Sequence, residues 1–296
     1  MTAICATLKC ARDFVNVDSH NSPCINPSLT AEGFVFTHAV VVADHKTCSQ
    51  VGKAILQQGG NAVDAAIAAM LCTGVVNTHS VGVGGGHFMV VYNKEKGVID
   101  AIDARVAAPA SVLERNFSVG NSYCSPSNGL CIAVPGEISG YWLAHQRYGK
   151  LPWVDLFQPA IRLASEGITI GSALKNAIEK KKDKIAQLQP LKNLLINESG
   201  EVYRARHRMV RPKYAQTLRR IATGGIDSFY RGQLAEDVVA DIQEAGGTIN
   251  LDDLHNYRAK LSRPLKTKLG PFDMFTTPPP SGGAALMFII NIMKGK

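Results

Sequence analysis

From Val63 to Val76 the chain is apolar nearly all the way round a helix, interrupted by a single charge, Asp64. A helix with no polar face has to be covered on every side, so this segment demands packed layers around it. The longest apolar candidate, Ala62 to Val76, is too short to cross a bilayer and carries that aspartate, so burial in protein is the remaining option. Asn61 is a good N-cap, and Asp64 stands in the first turn, where the positive end of the helix dipole favours a carboxylate.

The segments on either side suit an α/β arrangement. Phe34 to Ala43 is β-branched and continuous enough for a buried strand, and Lys46 to Gln58 is amphipathic, with Val51, Ala54 and Ile55 on one face and Gly59-Gly60 as its stop. Phe88–Tyr92 and Val98–Asp103 read as strands of a hairpin around a polar loop ending in Gly97. Leu130–Val134 reads as a further strand, followed by a turn at Pro135-Gly136 and a helix over Glu137–Tyr148. Helices are expected over Trp153–Glu166, Gln216–Thr223, Gly232–Ala245 and Leu251–Tyr257, then a strand pair within Leu265–Thr276 and a strongly apolar helix over Ala284–Met293. That last helix needs a partner surface that nothing left over in the chain supplies. Residues 1–33 have no period and no basic-then-apolar signal pattern, and are read as an irregular leader; ordered structure is expected over 34–296.

Between the buried helix and the hairpin lies Ser80-Val-Gly-Val-Gly-Gly-Gly-His-Phe88, followed by Asp103-Ala-Arg105 at the end of the second strand. Consecutive glycines strip one patch of Cβ atoms, so a second backbone or a ligand can approach it closely. A guanidinium beside such a patch can grip a carboxylate with two parallel hydrogen bonds. Arg105 is therefore the candidate substrate-binding residue, against the alternative of a surface ion pair with Asp103 or another acid. Close strand packing is a compatible second role for the glycines.

Other chemistries are excluded by pattern. The glycine run follows a helix and enters a strand, and His87 breaks the spacing of a dinucleotide fingerprint, so no pyrophosphate site is expected. Ser139 lies outside any G-x-S-x-G elbow. The seven cysteines, at positions 5, 10, 24, 48, 72, 124 and 131, contain no C-x-x-C, and the eight histidines do not cluster, so neither metal nor cofactor is expected. The net charge of +8 is regional: residues 171–220 hold thirteen Lys or Arg against four Asp or Glu. Without interleaved aromatics this reads as a solvated helix face and not as a nucleic-acid surface. Cys48 and Cys72 fall on consecutive helices and are either bridged or two buried thiols. Asn116-Phe-Ser118 and Asn197-Glu-Ser199 are N-glycosylation acceptor patterns.

Taken in order, Gly59 to Ile67, Ser80 to Phe88, Asp103-Ala-Arg105, Val134 to Glu137, Gly149 to Trp153 with Leu156 to Pro159, Leu254 to Tyr257 and Pro278 to Gly283 resemble the γ-glutamyltransferase family, the glutathione hydrolases. The resemblance runs from about His38 to Lys296. It implies the αββα four-layer sandwich of the N-terminal nucleophile hydrolases, incomplete in this chain, made as a precursor that cleaves itself into a large and a small subunit. It also implies a small subunit beginning with a catalytic threonine that attacks the γ-glutamyl amide of glutathione or a conjugate, the acyl-enzyme then passing to water, an amino acid or a dipeptide.

On that resemblance residues 34–296 are the large-subunit region, truncated before the threonine. Thr37 and Thr78 fall in large-subunit segments, so no catalytic residue is expected in this chain. Arg105 matches the arginine that holds the glutamyl α-carboxylate. Cys48 and Cys72 match a disulfide of the animal members. The location implied is the outer face of the plasma membrane, although no anchor is legible. Two other readings stand beside this one: a truncated, non-catalytic binding or interfering protein, and a related amidohydrolase such as a cephalosporin acylase.

Overall fold

The computed structural model describes residues 5–8, 36–112, 129–197 and 199–294. In chain order the first elements are β1 (Cys5–Leu8), β2 (Ala39–Val42), α1 (Lys46–Gln57), α2 (Ala62–Val76), β3 (His87–Asn93) and β4 (Val98–Ala104). They are followed by α3 (Glu137–Tyr148), α4 (Trp153–Glu166), β5 (Ile168–Thr169), α5 (Ser172–Lys180), α6 (Lys182–Gln187), α7 (Gln189–Leu195), β6 (Arg208–Met209) and α8 (Pro212–Tyr230). The remainder are α9 (Gln233–Glu244), α10 (Leu251–Asn256), β7 (Lys260–Ser262), β8 (Leu265–Leu269), β9 (Phe272–Thr276) and α11 (Gly283–Met293).

The all-apolar helix is α2, and it is buried as its composition requires. It packs against α1, α3 and α4, and α4 in turn lies on α8. Residues from Val63 to Val76 are almost all inaccessible, Asp64 among them. The Asn61 side chain accepts from the Val63 and Asp64 N–H groups, and the Asp64 carboxylate accepts from Asn61 N–H at 3.0 Å, a reciprocal cap. That carboxylate also accepts from Lys150 N–H at 3.1 Å and Leu151 N–H at 3.2 Å, so the helix start holds the loop before α4. Cys48 and Cys72 form a disulfide with Cα atoms 5.4 Å apart, tying α1 to α2.

β3 and β4 pair antiparallel from His87↔Ala104 to Asn93↔Val98, and β7 adds to the other edge of β4 through Asp103↔Lys260. β8 and β9 form a separate hairpin, and β5–β6 a two-residue pair. β1 pairs antiparallel with β2, so part of the expected leader is a strand. The expected strand at Leu130–Val134 is not formed. Gly129–Cys131 is a 3-10 turn, and only Val134 bridges, to Ala107. The physical reason is local: Gly129 N–H is taken by the Ala245 carbonyl at 2.7 Å, and Pro135 has no N–H with which to continue a ladder.

α8 also extends beyond the expected Gln216–Thr223. Pro212 opens it with a preset φ, and at Gly225, with φ 65°, the helix bends and resumes because Phe229 and Tyr230 are buried. The basic stretch forms α5 to α7, with Leu174, Ile178, Ile185 and Leu195 buried and the lysines outward. Among the described residues no helix is long and apolar enough to cross a membrane.

Candidate functional site: the glycine loop and Arg105

The loop Gly82–Gly86 leaves α2 and enters β3, and it is packed from four directions. Gly74 on α2 faces Gly82, with its Cβ position only 3.3 Å from the Gly82 Cα. From α8, Tyr214 accepts the Val83 N–H. From the start of α3, the N–H groups of Gly136 and Glu137 both donate to the Gly85 carbonyl, at 2.9 and 3.0 Å. On the fourth side Gly86 touches the end of β4: a Cβ there would collide with the Ala104 carbonyl oxygen and lie 2.9 Å from Val106 N. Side-chain absence is thus what allows the loop and the Arg105 backbone to meet.

Arg105 is held by its backbone and exposed at its tip. Its N–H donates to the Asp103 carboxylate at 2.9 Å, and its carbonyl accepts from the Tyr257 hydroxyl at 2.6 Å. Gly136 packs so closely against the Ala104 carbonyl and the Tyr257 hydroxyl that no larger residue fits. Among the described residues the Arg105 guanidinium makes no ion pair, and the residue is exposed. Asp103 serves the Arg105 main chain, and among the described residues neither it nor another acid forms an ion pair with the Arg105 guanidinium.

Behind the loop is a buried polar cluster that the sequence reading did not single out for chemistry. Glu137, 2% exposed, accepts from the Tyr141 hydroxyl at 2.7 Å and from the Gly82 N–H. Burial raises its pKa to about 7, and those two hydrogen bonds offset part of the shift. Burial also pushes the Tyr141 and Tyr230 hydroxyls well above their usual range, and Tyr214 up to about 12. His87 stacks on Tyr141 with ring centroids 4.7 Å apart. The residue is half-buried, but both ring nitrogens are enclosed without a hydrogen-bond partner among the described residues, and burial lowers its pKa to about 4. The Arg211 guanidinium lies 4.0 Å from the centre of the Tyr214 ring and donates to the Gly74 carbonyl. The available signal was the Glu137/Tyr141 spacing of four, which puts both on one helix face; nothing local says that this face is buried.

A groove of about 500 Å³ is walled by Val83 and Gly84 and by residues of α8 and α9. Arg105 is not on its wall, and its Arg220 is already paired with Asp237 at 3.0 Å. Asn197 sits at a turn, where its side chain accepts from the Ser199 and Glu201 N–H groups at 3.0 Å; Asn116 lies outside the described residues. Among the described residues no cluster of His, Cys, Asp and Glu could hold a metal.

The family model described as Gamma-glutamyltranspeptidase matches residues 48–296, which include the whole glycine loop, Arg105 and the Glu137 cluster. The chain belongs to the gamma-glutamyltranspeptidase family. Over 261 residues it is 42% identical to Scoloptoxin SSD14 of Scolopendra dehaani, covering 88% of this chain and 45% of the relative. Over 271 residues it is 41% identical to Glutathione hydrolase 5 proenzyme of Rattus norvegicus, covering 88% and 46%. The crystal structure of Helicobacter pylori gamma-glutamyltranspeptidase superposes with a TM-score of 0.82 at 28% identity, covering 87% of this chain and 75% of that one. The chain spans about half the length of the two curated relatives, and its mixed helix-and-strand architecture is that of the family.

Proposed function

We propose that this chain is the large-subunit region of an enzyme that hydrolyses or transfers the γ-glutamyl group of glutathione and its conjugates, and that Arg105 holds the substrate α-carboxylate. The observation that carries the reading is the exposed Arg105 guanidinium, without an ion pair among the described residues, presented at the end of β4 by a backbone clamped between Gly86, Gly136 and Tyr257. A fixed backbone with a free cationic tip suits an anionic ligand, and gripping the α-carboxylate places the γ-carbonyl at a set distance for attack. The acyl-enzyme would form on a threonine in the part of the relatives that this chain does not span, with water, an amino acid or a dipeptide as acceptor. The small subunit is the expected partner. The exposed apolar face of α11, where Phe288 and Met293 are 68% and 64% exposed, supports a further polypeptide covering it. Placement on the outer face of the plasma membrane, with glycans at Asn116 and Asn197, is part of the same reading.

The test is Arg105→Ala in the full-length protein. Losing a charge-assisted pair should raise KM for glutathione on the order of 100-fold and abolish the preference for substrates with a free α-carboxylate. An unchanged KM would remove Arg105 from the substrate site. Equal turnover of an acyl substrate with no α-carboxylate would favour a related amidohydrolase.

A further inference from the structure

We propose that Glu137 is a positioning residue of the Arg105 site: its buried side chain, through the Gly82 N–H, sets the glycine loop against which the Arg105 backbone is packed, and its protonation state is felt there. The proposal rests on Arg105 binding the substrate carboxylate, as argued above.

The chain of contact is short and made of stiff parts. Glu137 takes the Gly82 N–H on its carboxyl, while its own N–H and that of Gly136 hold the Gly85 carbonyl, so both ends of the turn Gly82–Gly85 are fastened to the first residues of α3. The next residue, Gly86, lies against Ala104, Arg105 and Val106 with no room for a methyl group. A shift of the turn is therefore transmitted to the Arg105 main chain and cannot be absorbed by side-chain movement.

The groups facing Glu137 leave it alone in its titration range. On its own helix is Tyr141; from α8 come Tyr214, with Arg211 against its ring, and Tyr230; from β3 comes His87, stacked on Tyr141. The tyrosines titrate far above neutrality, the His87 ring is neutral above about pH 4, and Arg211 stays charged, so Glu137 is the member of the cluster that changes charge near pH 7. Its sign follows from burial. A packed loop that raises the carboxyl from 4.5 to about 7 is bound more favourably to the protonated form, and that advantage is present below pH 4.5 and lost as pH rises through 7. A neutral carboxyl has an O–H for the Tyr141 oxygen and a carbonyl for the Gly82 N–H, so both contacts survive protonation. Ionisation strengthens both hydrogen bonds, but the cost of a desolvated charge is the larger effect, and the water it draws towards the carboxylate loosens the packed turn.

The experiment measures KM and kcat for glutathione from pH 6 to pH 8.5 in the full-length protein, with Glu137→Gln, Tyr141→Phe and Arg105→Ala. In the wild type a component of KM should rise roughly threefold or more through pH 7, a linkage effect smaller than the full shift allows. In Glu137→Gln that component should vanish while kcat at its plateau changes less. Tyr141→Phe removes a hydrogen bond that favours the ionised form, so its midpoint should move to higher pH. A Glu137→Gln variant with the wild-type KM profile overturns the proposal. If that variant does not fold, an unmoved midpoint in Tyr141→Phe overturns it instead. Should Arg105→Ala leave KM untouched, the carboxylate reading falls first; should it raise KM while Glu137→Gln behaves as wild type, only the positioning role falls.

Discussion

Gly84 and Gly86 are two residues apart in one run, yet they do different things. A Cβ on Gly84 would meet nothing within 4 Å, whereas one on Gly86 would strike the main chain at Ala104 and Val106. Gly86→Ala should therefore displace the end of β4, destabilising the fold by about 1–3 kcal/mol and, in the full-length protein on the proposed reading, raising KM for glutathione at least tenfold. Gly84→Ala should match the wild type in both KM and melting temperature. Similar behaviour of the two variants would mean that close approach at Gly86 is not what positions Arg105. At this scale the residue types were legible: glycines, then an arginine at a strand end. Which glycine is indispensable was not, because the atoms it makes room for are contributed by a strand about eighteen residues later in the chain.

Among the elements, α2 shows how a single carboxylate can organise a junction. Asp64 is fully buried, and it satisfies the Asn61, Lys150 and Leu151 N–H groups. Asp64→Ala would leave those donors unpaired at a cost on the order of 3 kcal/mol, lowering the melting temperature by roughly 5 °C or more. Asp64→Asn, which retains one acceptor oxygen, should lose less. Equal stability of wild type and Asp64→Ala in thermal denaturation would show that the loop before α4 is held some other way. The cap itself was readable from Asn61 and Asp64, since it is satisfied within one turn. Its second role was hidden, because Lys150 and Leu151 arrive from more than eighty residues away. For the same reason Leu130–Val134 misled: its β-branched residues suit a strand, but Gly129 is already hydrogen-bonded to the end of α9.

For the molecule as a whole, the apolar surface on α11 and the β8–β9 hairpin is the feature that local rules leave unexplained. Leu286, Phe288, Ile289, Ile292 and Met293 are exposed on α11, which packs on β8, and Phe272 on the paired strand β9 is 70% exposed. Such a patch exceeds what scattered surface hydrophobics provide and marks a contact face. The isolated chain should bind a hydrophobic dye and sediment as associated species, and Phe288→Ser with Ile292→Ser should weaken both effects. Dye binding and sedimentation unchanged by the double substitution would place the sticky surface elsewhere.

Taken alone, the amino-acid order determined the features whose physics closes within a few residues or within one periodic segment. These are the buried α2 with its cap, the β3–β4 hairpin, the stops at paired glycines, and the glycine run beside Arg105. The family resemblance carried the same reading to the level of the whole chain. Only the tertiary structure decided that Asp103 serves the Arg105 backbone and, among the described residues, makes no pair with its guanidinium, that Cys48 and Cys72 are joined, and that Glu137 lies buried behind the loop. Each of these depends on which distant segment fills the space beside a residue, and burial, unlike helical period or capping, is a property of the neighbours and not of the residue itself.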